Sequence, residues 1–529
     1  MPADIIFHSG TVHTVDANNS IAEAVAVENG RISAVGSNAT VRAEGGPRTR
    51  QVDLAGRSLT PGFIDAHHHF VGVGGAQDAI DCKAPGMQSI AAIVEEVRKR
   101  AATLPPGTWI RGRGYDQSRL AEQRHPNRHD FDPVSPDHPV LFTRTCGHII
   151  AFNSKALELS GLPETTPDPD GGRYDRDGDG RLLGVSYERA NGPIQLAATP
   201  SPAEQREWLK AANAADLKSG LTSIHDAGGL MGVPINLAKE LVDRDELQVR
   251  IYAFCTVNSL EHPHVPILNT GLRTGFGDER LRIGAFKVMT DGSSSGPTAA
   301  TREPYTIDSD DWGIAYWAQD DLDNLIGRAH RAGWQCTVHA VGDKAIEQTL
   351  NAMARAQQEF PREGLRHRID HCGITPPDLQ ERVKRQGIVP AMQPAFFWEF
   401  GDGYIRNYGR HPPRNLARHK ILPAHRAFMV KQNPVRSMQP VSPAIILCHP
   451  ERIELGRRIR AFRRKRRSLG LWAFRRIPVQ LGTGGLIKPR FILQTPNTDS
   501  LQEPQSPQRI RISRIFRRFE THMHMALRR

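Results

Sequence analysis

From Pro61 onward the chain alternates short apolar stretches with amphipathic ones, and that alternation restricts it to a parallel sheet flanked by helices. Residues 221–227, 249–256, 283–290, 336–340, 367–372 and 388–393 have the length and apolar content of strands. Between them, residues 90–103, 322–332, 344–357 and 377–385 carry apolar side chains at helical spacing. Ser201-Pro202-Ala203-Glu204 is a capping box with proline in the first turn, which predicts a helix to about Ser219. Polar residues gather at the carboxyl ends of the strands, where a (β/α)8 TIM barrel places its site.

Two other regions frame this α/β core. Residues 1–60 read as a small β-sandwich-like domain, with strands at 4–8, 11–14, 22–28, 31–36 and 51–54 and a hairpin turn at Asn29-Gly30. Residues 105–200 read as an irregular insertion over the mouth of the barrel. Within it, residues 175–179 alternate acids like a calcium loop, but the twelfth position falls on Ser186, not glutamate, which favours a turn.

The net charge of +12 is unevenly placed. Residues 411–529 hold 26 Lys+Arg against 5 Asp+Glu, which leaves 43 against 52 for residues 1–410. An acidic protein of ordinary composition thus precedes a very basic tail. The six cysteines show no Cys-x-x-Cys pair or framework spacing, and the N-terminus lacks a charged start and apolar core. No apolar run reaches 18 residues, so the expectation is a cytoplasmic protein without a membrane span.

Candidate chemistry begins at Pro-Gly-Phe-Ile-Asp-Ala-His-His-His-Phe, residues 61–70. On a strand, His67 and His69 point together and His68 points away. Two neutral imidazoles on one face can hold a divalent ion, and Asp65 on that face could orient one of them. His339 and His371 recur at later strand ends, and Lys287 lies between. An ammonium repels a cation, whereas a carbamate formed by carbon dioxide on Lys287 is an anion able to bridge two ions. A plain Lys287 paired with Asp291, with one ion, is the alternative. His225 reads as a core histidine, and Trp109 and Tyr115 as packing residues.

These segments, with Ser223–Gly228, Phe286–Gly292, Thr337–Asp343 and Arg368–Cys372, resemble the amidohydrolase superfamily, specifically amidohydrolase family 3, over residues 1 to about 410. The resemblance implies a metal-dependent hydrolase acting on carbon–nitrogen, but not peptide, bonds of a small molecule through a metal-activated hydroxide. It implies one or two ions, zinc foremost: His67 and His69 on one, His339 and His371 on the other, carboxylated Lys287 between. His148 resembles a substrate-facing histidine of the family, and Asp291 is a weaker candidate for substrate contact. A homo-oligomer is compatible with this reading.

The resemblance ends near Arg410. The family places a catalytic aspartate after an eighth strand, but the only aspartate after Asp402 is Asp499, in a polar loop, and the stretch 479–485 ends in glycines. A proper eighth strand, a catalytic aspartate and full activity are therefore not expected. The jump in arginine and proline points to a shifted reading frame and a disordered tail. Alternatives are a solvated arm or a nucleic-acid-binding tail through the basic run 457–467 on a retired barrel.

Overall fold

The computed structural model describes residues 2–408 and 445–448, so the basic run 457–467, the stretch 479–485 and Asp499 lie outside the described residues. Seven parallel strands form a nearly closed barrel. Their spatial order is Val389–Ala391, Arg368–His371, Cys336–Ala340, Leu281–Met289, Arg250–Val257, Leu221–Asp226 and Phe63–His68. Among the described residues no eighth strand joins Phe63–His68 to Val389–Ala391. Phe63 and Ile64 on that open edge are 49% and 64% exposed, unusual for large apolar residues of a barrel strand.

Alternation along each strand divides the barrel lumen from the helical layer. In Leu281–Met289, Phe286 and Val288 face a core shared with Leu322, Leu325, Ile326, Trp334, Ile346 and Leu350. Lys287 therefore projects inward, between two residues committed to the helices. Phe286 and Trp334 meet edge to face at 6.0 Å between ring centroids. The covering helices are Gln319–Arg331, Asp343–Glu359 and Pro377–Arg385, the last two overlapping or matching the segments expected from apolar spacing.

The capping box at Ser201 is present, and the helix runs Pro202–Ser219, ending on Gly220 at φ 88°. This helix fixes the start of the site. The short helix Phe70–Gly75, whose N-cap is His69, packs so closely on it that a Cβ on Gly74 would overlap the Trp208 carbonyl. Backbone cannot move aside as a flexible side chain can. Gly74→Ala is expected to destabilise the chain by about 1–3 kcal/mol, read as a lower denaturation midpoint; an unchanged midpoint would contradict this packing.

The N-terminal segment forms two small sheets. One orders Arg31–Gly36, Ala24–Glu28, Ile5–His8 and Arg50–Asp53; the other contains Ser58–Pro61, Thr11–His13 and Ile21–Ala22. Asn29 and Gly30 both have positive φ, as the hairpin turn requires. The region expected to be irregular is a six-stranded mixed sheet that begins earlier, at Ile80–Asp81, and ends with Leu182–Glu188. Its strands are short and dotted with arginine and glycine. In Ile110–Tyr115 burial still alternates, but Arg111 and Arg113 interrupt the apolar pattern. Asp177 accepts from the Asp179 and Arg181 amides at 3.0 and 2.9 Å, the turn expected there.

Candidate active site

Four of the five candidate ligands are imidazoles, and the barrel brings them into one row. Ring centroids stand 5.3 Å apart for His69 and His67, 4.7 Å for His67 and His371, and 4.6 Å for His371 and His339. His148, from the inserted sheet, extends the row at 5.1 Å from His339. His371 reaches this position through its own backbone. Arg368 and Asp370 take the inward face of the strand and Ile369 the outer, so simple alternation would turn His371 outward. A φ of 70° at His371 and 47° at Cys372 turns the ring back.

Lys287 is 1% exposed and bonded to Asp370 Oδ2, so its carboxylate partner is not Asp291. Asp370 also accepts from Arg368 Nε at 2.6 Å and Thr337 Oγ1 at 3.3 Å, and lies 3.2 Å from His67 Nδ1. It is the hub of the barrel floor, and sequence reasoning passed over it. Asp291 is fully buried, accepting from the Val341, Gly342 and Ala300 amides at 3.0, 2.7 and 3.0 Å. It is not among the residues lining the cavity. Asp65 does not orient His67 or His69 through their rings: its carboxylate accepts from the His67 amide and meets His68 Nδ1 at 3.2 Å. His225 sits against Arg368, Tyr252 and Phe254, the surroundings of a core histidine.

The donor set suits a divalent ion. Burial pushes His69 down to about 3 and holds His67, His339 and His371 below the ordinary imidazole value, so these rings present neutral nitrogens. His371 Nδ1 lies 2.6 Å from Gln393 Oε1, and His339 Nε2 lies 3.1 Å from the Gly292 carbonyl. Each acceptor requires the proton on that nitrogen and leaves the other as a lone pair, the arrangement found around metal-bound imidazoles. His67 Nδ1 is buried and makes no hydrogen bond. Among the described residues, no three His, Cys, Asp or Glu side chains converge tightly enough to hold an ion as they stand. Ion binding would therefore draw the rings together. Gln393 and Gly292 were not legible as site residues, because their roles depend on which ring nitrogen faces them.

A cavity of about 750 Å³ opens over the row. Its walls include Met289, Phe396 and Phe400 on one side and Arg113, Arg144, His148 and Glu188 from the inserted sheet on the other. Phe396 stacks on His371 at 5.7 Å between centroids, and Asn407 Nδ2 donates to the Ser294 carbonyl at 2.8 Å, seating the helix Ala395–Tyr408.

The buried histidines also set the pH range of stability. Burial holds His125 at about 3 and His367 at about 4, both neutral when folded. Their unfolded forms take up protons below about 6.5, so this stabilisation is present above that value and lost as pH falls towards 4. His68 and His148 behave oppositely. Although burial lowers both, carboxylate partners (Asp216 and Asp65 for His68, Glu188 for His148) raise them to about 9, and their contribution is lost as pH rises through it. Thermal midpoints are expected to plateau between about 6.5 and 9 and to fall on either side. A midpoint that rises from pH 7 to pH 5 would contradict the burial of His125 and His367.

Comparison with known proteins agrees with this geometry. The profile of the amidohydrolase family matches residues 50–438, running past Arg410 where the visible resemblance ends. A putative amidohydrolase of Bacillus subtilis is 32% identical over 74% of this chain and 73% of its own. The N-substituted formamide deformylase of Arthrobacter pascens is 28% identical over 77% and 75%. An uncharacterised metal-dependent hydrolase from Pyrococcus furiosus superposes with a TM-score of 0.59 at 25% identity, over 79% of this chain and 83% of its own. No helix among the described residues is long and apolar enough to cross a membrane.

Proposed function

The chain belongs to the amidohydrolase family and is a hydrolase by that membership; on that premise we propose that it cleaves carbon–nitrogen bonds, other than peptide bonds, in a small-molecule substrate. One or two divalent ions, zinc foremost, would be held by His67, His69, His339 and His371. The observation that carries this reading is the pairing of His371 with Gln393 and of His339 with the Gly292 carbonyl, which leaves one bare nitrogen on each ring. The printed name of the Arthrobacter relative, a deformylase of N-substituted formamides, describes chemistry of this class.

When bound, the ion supplies a Lewis acid that polarises a carbonyl and makes a water acidic enough to attack it near neutral pH. The chain's own residues do the rest. Burial holds the Lys287 amine below its usual range despite Asp370, which favours the free amine that carbon dioxide can carboxylate into a bridging ligand. Met289, Phe396 and Phe400 make the apolar part of the cavity, which limits water around the reacting carbonyl. His148 faces the substrate from the opposite wall. With Asp499 the only aspartate after Asp402, no carboxylate fills the family's catalytic position. Hydrolysis is accordingly slower, by about 10²–10⁴-fold, than with a positioned acid–base residue.

Chelation tests the reading. Stripping the chain with a chelator should abolish hydrolysis of N-substituted formamides and simple amides, and added zinc should restore it. Turnover that survives complete metal removal would overturn the reading.

A further inference from the structure

The inserted sheet carries a buried acid–base pair that the ion-binding row does not use. His148 Nδ1 lies 2.6 Å from Glu188 Oε2, and the Tyr316 hydroxyl donates to the same oxygen. With Nδ1 engaged by the carboxylate, Nε2 is the nitrogen left for the cavity that His148 lines. Glu188 is 6% exposed, and its second oxygen, Oε1, is buried without a hydrogen bond. The other carboxylate on the cavity wall, Asp81, is exposed and accepts from the Lys83 amide. Glu188 is thus the buried carboxylate of this cavity.

The fold holds Glu188 in place at the expense of local conformation. Its φ of 57° and ψ of −124° lie where residues with a side chain are rarely found. Gly292 makes room for it, since a Cβ there would overlap Glu188 Oε1 and Thr298. Tyr316 is fixed in turn: its carbonyl accepts from Arg189 at 2.7 Å, and the Arg189 guanidinium lies 5.0 Å from the centre of its ring. Strain retained by so many neighbours points to function.

We propose that Glu188 is the positioning residue for His148, and that His148 delivers from Nε2 the proton required by the departing nitrogen. The proposal rests on the hydrolase reading above and fills the task for which the chain lacks an aspartate. Water adds to the carbonyl carbon, the C–N bond breaks, and the Nε2 proton passes to the leaving nitrogen. The water-derived proton of the acid product then returns to Nε2. One water is consumed, an acid and an amine are released, and His148 is reset.

The test uses the full chain and its Glu188→Gln, Tyr316→Phe and His148→Gln variants, with two acyl-matched amides, one releasing an alkylamine and one p-nitroaniline. An alkylamine cannot depart without a proton, whereas p-nitroaniline depends on it far less. Glu188→Gln and His148→Gln should lower kcat on the alkylamide by about 10²-fold, with KM and bound metal little changed and the p-nitroanilide nearly unaffected. Equal losses on both amides, or a change confined to KM, would overturn the proposal. Nitrogen-15 histidine spectra give a readout independent of turnover. A His148 signal with the proton on Nδ1, assigned by its absence in His148→Gln and altered in Glu188→Gln, is expected. A His148 protonated on Nε2 alone would overturn the pairing. Were no amide turned over by the parent chain, the hydrolase reading would fall, and the proton-delivery role with it, while the spectra would still decide whether Glu188 positions His148.

Discussion

The His339→Ala chain is expected to lose at least about 10³-fold in amide hydrolysis, because several kcal/mol of charge stabilisation depend on the ion this ring helps to hold. His339 lies on the central strand Cys336–Ala340, is 2% exposed, and has its Nε2 committed to the Gly292 carbonyl. Its other nitrogen cannot be replaced by a neighbour without breaking that bond or the His371–Gln393 pair. The strand itself is held by Val338 and Cys336 in the helical core, so the substitution should leave the thermal midpoint near that of the parent. Purified His339→Ala should therefore be folded, depleted in metal and nearly inactive. A folded His339→Ala chain with full metal content and rate would remove this ring from the site.

Asp370→Ala is expected to have the opposite profile, with a large effect on folding itself. Asp370 is fully buried and pairs with Lys287 and with Arg368, whose side chains are almost as buried. Deleting the carboxylate leaves two cations in the barrel with no counter-charge, and breaking a buried pair in this way costs about 3–5 kcal/mol. Asp370→Asn keeps the shape and two of the acceptor positions but not the charge, and should fall between Asp370→Ala and the parent. Equilibrium denaturation would show the order parent, Asn, Ala. A midpoint for Asp370→Ala equal to that of the parent would mean that Lys287 and Arg368 find other partners or reach water.

Much of the fold was legible because periodicity is robust where strands are buried on both sides. Cys336–Ala340 and Pro377–Arg385 have the boundaries expected, and the helix from Ser201 begins and ends as its capping box and Gly220 require. The inserted sheet was not legible as a sheet, since arginines and glycines interrupt the alternation that its buried residues still follow. At the site, the ligand types could be read, because histidines at the carboxyl ends of barrel strands have few other uses. Asp370 was harder. It stands beside His371 in the quoted segment, but its partner Lys287 is 83 residues away and two strands distant. A stricter use of alternation would have found it: Arg368 and Asp370 share the inward face with Lys287, and a buried lysine needs an acid. The turn that brings His371 inward could not have been read, because positive φ at a histidine and a cysteine leaves no mark in composition. Glu188 was missed for the same reason, and because its partner His148 lies 40 residues earlier on another strand.

The central claim, that the row of imidazoles binds divalent ions, is tested most directly by metal analysis of the purified full chain beside its His67→Ala variant. The account predicts one or two zinc-like ions per parent chain after dialysis, clearly fewer in His67→Ala, with both chains folded. A folded parent chain that binds no divalent ion when zinc is supplied would contradict it.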